Sequence, residues 1–206
     1  MEKIENYQIG HSPQKGDIFK IEQNINNNPN VEVSFSHRHT FYAIYWFHEG
    51  QGIHVIDFEN YDIKPNRIFY IKPEQVHFLN VQSTIKYSAL QFSEEFMLSL
   101  YSITKNILNS DNLSIYKDLN SEEEKRLHIL FNLIYNESMN NLPNSTIMIQ
   151  SEINLFMLEL DRMGCHEKAR PTIPHILIKY KDLINKQFHT YRQVKDYAIQ
   201  LGITPN

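Results

Sequence analysis

The chain has 206 residues and a mass of 24.5 kDa, enough for one large or two small domains whose core needs no covalent staple. Hydrophobic residues make up 41%, aromatics 12% and charged residues 21%, which excludes collagen-like, disordered and disulfide-built classes. A net charge of -4 argues against a surface that binds nucleic acid all over.

Cys165 is the single cysteine and cannot form an internal bridge, so a reducing compartment is expected. No basic segment leads into an apolar run at the N-terminus, and the densest apolar stretch, Phe41 to Phe47, is too short for a bilayer. The expectation is a soluble cytoplasmic protein without a membrane partner. Charge is uneven, however: from His166 onward seven Lys and Arg face three acids, so a basic tail follows an acidic body and two functions are expected in one chain.

In chain order, the first half reads as β-structure. Val31–Phe35, Phe41–Phe47, Gln51–Phe58, Arg67–Ile71, Val76–Val81 and Thr84–Phe92 are rich in Ile, Val, Tyr and Phe, with turn signals between them at Glu49-Gly50-Gln51-Gly52, Glu59-Asn60, Pro65-Asn66 and Pro73-Glu74. Short strands at close spacing predict a sandwich or barrel. From Ser93 the period lengthens. Ser93-Glu94-Glu95 opens a helix, and Ser121-Glu122-Glu123-Glu124 reads as a capping box before Leu127, Leu130, Phe131 and Ile134. A further helix is expected from Asn144 or Ser145, with Ile149, Ile153, Phe156, Met157 and Leu160 on one face and the preceding helix as its antiparallel partner. Both helices carry apolar residues off that face, namely Ile129, Leu133, Ile147, Leu155 and Leu158, which predicts a second partner and hence a homodimer through residues 121–163.

Gly164 closes the pair, and the proline-bearing stretch to Pro174 reads as a linker. Ile176, Leu177, Tyr180, Leu183, Ile184 and Phe188 then trace one helical face, and a short helix runs from about Arg192 to Leu201. In the segment that follows Val194, Ala198 is small enough for helices to cross closely, Gly202 permits a left-handed turn, Ile203 plugs the angle between helices, and Thr204 caps a next helix. That is the logic of a helix-turn-helix, and the chain stops where its recognition helix should begin.

Two constellations in the β-rich half carry chemistry. Alternation places His37 and His39 on one strand face, where His77 from a neighbouring strand would join them, and three imidazoles are able to hold iron, manganese or zinc. In the cupin enzymes that this histidine pattern resembles, a carboxylate four or five residues past the second histidine completes such a centre, and here those positions are Ala43 and Ile44. Alternation also sets Phe41, Ala43 and Tyr45 on the side of His39, with Tyr42, Ile44 and Trp46 opposite. An inward pocket lined by His39, Phe41, Tyr45, His77 and Tyr87 would be mostly apolar with a few donors, which suits a small ligand. Nothing in the sequence supplies a nucleophile with its base, a phosphate loop or paired carboxylates, so a binding protein rather than an enzyme is expected.

Tyr197-Ala198, Leu201-Gly202 and Ile203-Thr204-Pro205-Asn206 resemble the first helix-turn-helix of the AraC/XylS family of bacterial transcription regulators. The β-rich half is similar to the same family at His37-Arg38-His39, at Glu49-Gly50-Gln51-Gly52 and at Ile71-Lys72-Pro73-Glu74-Gln75-Val76-His77, and Tyr87 to Phe96 matches its handover from barrel to helices. The likeness is strongest over 37–96 and 176–206 and weak before 31. It implies an α+β fold: a cupin-like effector-binding jelly-roll barrel with a trailing helix (1–109), a helical dimerisation linker (110–165), and the start of a helix-turn-helix domain (166–206). It also implies a small-molecule effector, a sugar among the candidates, no cofactor, and promoter DNA as a partner of a full-length form only. Tyr197, Ala198, Gly202 and Thr204 would be supporting helix-turn-helix positions. The runner-up is a metal-dependent cupin enzyme using His37, His39 and His77.

Overall fold

The computed structural model describes residues 5–7, 18–27, 35–109, 114–140, 142–164, 179–180, 183, 187, 190–191 and 193–203. The chain divides into two compact units, Met1–Glu167 and Lys168–Asn206. In the first unit the strands are β1 (Glu5–Tyr7), β2 (Phe19–Asn27), β3 (His37–His39), β4 (Phe41–Glu49), β5 (Gly52–Ile56), β6 (Glu59–Ile63), β7 (Arg67–Ile71), β8 (His77–Val81), β9 (Ile85–Ser93) and β10 (Tyr116–Asp118). Helices α1 (Glu94–Ser99), α2 (Ser102–Asn109), α3 (Ser121–Asn140) and α4 (Ser145–Arg162) interrupt or follow them, and the second unit contributes α5 (Val194–Leu201).

Two five-stranded sheets result, ordered β1-β3-β8-β5-β6 and β10-β7-β4-β9-β2, and antiparallel throughout except for the β1–β3 pair. β4 shows why they pack as they do. Phe41, Ala43 and Phe47 point into the barrel with Ile56, Phe69, Ile71 and Ile85. Tyr42, Ile44 and Trp46 point the other way, into a second core shared with Phe96, Leu127, Phe131, Ile153 and Phe156 from the helices. Period-two alternation thus feeds two cores from one strand, and each fully buried large side chain contributes about 1.5–3 kcal/mol.

The barrel-then-helix architecture agrees with the sequence reading, with local differences. The segment read as one strand from Gln51 to Phe58 ends at Ile56 as β5, because Asp57 and Phe58 both adopt positive φ (49° and 70°) and turn the chain into β6, where the sequence reading places a turn. The trailing helix breaks at Leu100–Tyr101 into α1 and α2. The cap of α3 is Asn120 rather than Ser121: its Oδ1 accepts from the N–H groups of Glu122 and Glu123 at 3.0 Å, and Glu123 Oε2 accepts from Asn120 N–H at 2.8 Å. α3 and α4 run antiparallel, with Arg126 near the start of one 3.4 Å from Glu159 near the end of the other. Leu158 packs on the helical core, whereas Ile129, Leu133, Ile147 and Leu155 are exposed.

β10 is tied to β7 by the buried Arg67. Its guanidinium donates to both carboxylate oxygens of Asp118 and to the Asp62 carbonyl, and it lies 3.9 Å above the Tyr116 ring. That pairing holds the Asp118 carboxyl below its ordinary range, the Arg67 hydrogen bond being the main cause.

In the second unit, Tyr197 and Ala198 are buried, and the Tyr197 hydroxyl donates to the Tyr191 carbonyl at 2.7 Å. α5 ends at Gly202, whose φ of 67° is left-handed, and Ile203 is exposed. Residues 31–34, the linker at 165–174, most of the helical face at 176–188, and Thr204 lie outside the described residues. No described helix is long and apolar enough to cross a membrane.

Candidate functional site

Between the two sheets lies a cavity of about 220 Å3. Its floor and one wall come from the second sheet: Tyr45 on β4, Tyr87 and Gln91 on β9, and Lys20, Glu22 and Ile25 on β2. The opposite wall comes from the first sheet: His37 on β3, His77 and Leu79 on β8, and His54 on β5. Alternation explains each placement, since Gly52, His54 and Ile56 are the buried positions of β5, and His77 and Leu79 those of β8. A second depression, of about 310 Å3, lies on the surface over the exposed side chains of Gln51, Asp62, Lys64 and Gln82.

The inner wall is a cluster of imidazoles. His54 Nε2 and His77 Nδ1 are 3.1 Å apart, one donating to the other, and the two residues are 1% and 3% exposed. The His37 and His77 ring centres are 4.3 Å apart and those of His39 and His77 4.9 Å. His37 Nδ1–H donates to the Phe35 carbonyl at 3.1 Å, which leaves its Nε2 as an acceptor when the ring is neutral. Burial, reinforced by the neighbouring imidazoles, pushes His54 down to about 3 and His77 well below the ordinary histidine value. The rings are therefore neutral at pH 7. In the neutral pair the two outer nitrogens, His54 Nδ1 and His77 Nε2, are one donor and one acceptor, and they exchange roles if both tautomers flip.

The facing wall is hydroxyl- and amide-bearing. Burial raises the Tyr45 hydroxyl well above the usual tyrosine range, aided by Tyr87 and opposed by a hydrogen bond with Gln91; burial also raises Tyr87, to about 12. Both are protonated donors. At the edge, Lys20 Nζ and Glu22 Oε1 pair at 2.7 Å, so their charges cancel.

Of the residues expected from sequence, Tyr45, His77 and Tyr87 line the cavity. His39 and Phe41 do not: both are buried and stack on each other at 4.0 Å, in a layer behind His77. The chain also brings His54, His37, Gln91, Lys20 and Glu22 to the cavity. His54 carried a legible signal, as the lone polar side chain among Gly52, Ile53, Val55 and Ile56, but its partner His77 lies 23 positions away.

A metal centre on His37, His39 and His77 does not fit this geometry. The face of His39 is covered by Phe41, His77 Nδ1 is directed at His54, and the carboxylate positions are the buried Ala43 and Ile44. Among the described residues no three His, Cys, Asp or Glu side chains are arranged to hold a metal ion.

Solved structures similar to this chain include a cupin protein from Bacteroides fragilis, with 22% identity, coverage of 37% of this chain and 64% of that one, and a TM-score of 0.31. ToxT from Vibrio cholerae is 13% identical over 91% of this chain and 72% of its own, with a TM-score of 0.41. The AraC-like transcriptional activator CuxR is 12% identical over 80% and 58%, with a TM-score of 0.40. The chain thus spans under two thirds of the first and third of these. No curated protein matches it. Residues 21–123, half of the chain and all of the cavity's lining except Lys20, match the AraC-like ligand binding domain, and the chain belongs to that family.

Proposed function

We propose that the cavity is the effector site of a transcription regulator's sensor portion, that α3 and α4 form its homodimer interface, and that a longer form binds promoter DNA through the unit containing α5. The cavity between the two sheets, with its convergent polar groups, carries this reading. A cavity of about 150 Å3 accepts benzene, so about 220 Å3 suits a molecule of one ring with substituents. Neutral imidazoles, protonated tyrosines and a cancelled Lys20–Glu22 pair favour an uncharged ligand that both donates and accepts hydrogen bonds, and a sugar-type effector meets that description. Tyr45, His77 and Tyr87 contact it, with His39 and Phe41 holding the His77 ring from behind.

A thermal-shift screen of monosaccharides and related neutral polyols tests this. A ligand at about 100 times its Kd adds about 2.7 kcal/mol, which raises Tm by roughly 5–10 °C in a chain of this size. The Tyr45→Ala/His77→Ala double variant should lose the shift while remaining folded. Equal affinity in the folded variant and the wild type would move the site elsewhere.

The dimer rests on Ile129 and Ile147, each 62% exposed, with Leu133 and Leu155 one helical turn or two further on. A few hundred Å2 of such surface is worth several kcal/mol at about 25 cal/mol per Å2 before association costs. Wild-type protein should sediment as a dimer at roughly tens of micromolar, a concentration at which micromolar interfaces are populated. Leu133→Glu and Leu155→Glu should give folded monomers. A wild-type monomer at that concentration contradicts the interface. Tyr197, Ala198, Gly202 and Thr204 are proposed as supporting positions of the DNA-binding unit.

A further inference from the structure

β2 lines the cavity on one face and touches the helices on the other, in part through a polar side chain. Lys20 and Glu22 face the cavity, whereas Phe19, Ile21 and Gln23 face the helical layer: Phe19 stacks on Phe96 at 5.4 Å, Ile21 lies in the helical core, and Gln23 Nε2 donates to Asn132 Oδ1 of α3 at 2.6 Å. The ladder then breaks. Glu22 pairs with Ala89 and Ile25 with Tyr87, so three steps on β2 match two on β9, and the extra residue is a bulge. Asn24 sits there at a left-handed φ of 54°, its N–H donating to Ser88 Oγ, which also bonds His48 Nε2 at 2.8 Å. The bulge reverses the parity of the strand and returns Ile25 to the cavity.

Three features make β2 the wall that yields. Among the described residues it ends its sheet and is hydrogen-bonded to a strand on one side only. Only two of its nine side chains are buried, against six of the nine in β4. Its ladder is already interrupted next to the Gln23–Asn132 contact. A ligand that separates or bridges Lys20 and Glu22 shifts residues on both sides of that bulge, and Gln23 carries the shift to the middle of α3.

We infer that β2 couples the cavity to α3, with Lys20 and Glu22 as ligand-sensing groups, the bulge at Gln23–Asn24 as the hinge, and Gln23–Asn132 as the output contact. The inference rests on the cavity being the effector site, but its test uses no ligand: Leu79→Trp on the opposite wall, and Ile25→Trp on β2, place an indole in the cavity. Hydrogen–deuterium exchange then reads residues 19–27 and 121–140. Both fillers should change exchange in both segments by about fivefold, the size of effect that one side-chain hydrogen bond produces. Adding Gln23→Ala should return 121–140 to wild-type rates and leave 19–27 changed.

A change confined to 19–27, or one that persists in α3 with Gln23→Ala, overturns the coupling, and fillers that leave β2 unaltered overturn its role as the yielding wall. Should Ile25→Trp unfold, Leu79→Trp carries the test. Gln23→Ala alone must still speed exchange in 19–27, and an unchanged rate there also refutes the proposal. Failure of the polyol screen leaves these outcomes untouched, so the two readings fail separately.

Discussion

Lowering the pH from 7.5 to 5.0 should destabilise this protein by about 2 kcal/mol through His54, with His77 adding a loss of the same sign. Each titrates near 6.5 in the unfolded chain, while the fold holds His54 down to about 3 and His77 well below its ordinary value because burial penalises the imidazolium. A depressed folded value means that the unfolded chain binds the extra protons. Stability is therefore fully present above about pH 6.5 and is lost as pH falls from there toward the folded values. At pH 5.0 the solution is about 1.5 units below the unfolded histidine value, which for His54 is worth about 2 kcal/mol, and His77 adds to it. At roughly 2–4 °C per kcal/mol, Tm should drop by at least about 4–8 °C.

Most carboxylates titrate below this window, so the slope isolates the histidines. His48, held at about 4 chiefly by burial, adds a smaller share because it is only half-buried. The His54→Leu/His77→Leu variant should flatten the profile between pH 7.5 and 5.0. A wild-type Tm unchanged over that range would mean that the pair is protonated or solvated in the fold.

What the sequence disclosed depended on how each strand is buried. β4 was legible because both of its faces are apolar and aromatic, and its alternation gave the two sides correctly. β2 was not, since Phe-Lys-Ile-Glu-Gln-Asn-Ile-Asn-Asn mixes cavity-facing charges with helix-facing apolar residues and the bulge breaks the period midway. The turn between β5 and β6 was placed two residues late, at Glu59-Asn60, because Asp57 and Phe58 adopt left-handed angles without a glycine to mark them. Three of the cavity's ten lining residues were foreseen, Tyr45, His77 and Tyr87. The rest depends on pairings such as His54 with Leu79, and Lys20 with Gln91, that no local pattern reveals. The cap of α3 was misplaced by one residue because Ser121 and Asn120 are both good caps, and geometry alone chose the amide.

The glycines of Glu49-Gly50-Gln51-Gly52 should tolerate no side chain. A Cβ on Gly52 would lie 2.6 Å from the Asn80 carbonyl oxygen and 2.9 Å from Val81 Cα. Those are backbone atoms of β8, the neighbouring strand, so no rotamer change relieves the clash and the ladder must open. Gly50 is worse: its φ is +97°, and its Cβ would meet the Thr84 carbonyl oxygen at 2.5 Å and Ile85 Cα at 2.8 Å. Overpacking of this kind costs about 3 kcal/mol, and the left-handed backbone adds about 1–3 kcal/mol at Gly50.

Gly202→Ala is the control, because its φ of +67° is left-handed but nothing lies within 4 Å of the added carbon, so only about 1 kcal/mol should be lost. Chemical denaturation should rank the variants with Gly50→Ala least stable, then Gly52→Ala, then Gly202→Ala. A Gly52→Ala variant within about 2 °C of the wild-type Tm would show that β5 and β8 separate at no cost. The same two strands carry His54 and His77, whose 3.1 Å contact is made across the ladder that Gly52 keeps closed. Gly52→Ala should therefore also weaken the steep acid dependence of stability, since a loosened pair admits water and its imidazoles recover ordinary proton affinity.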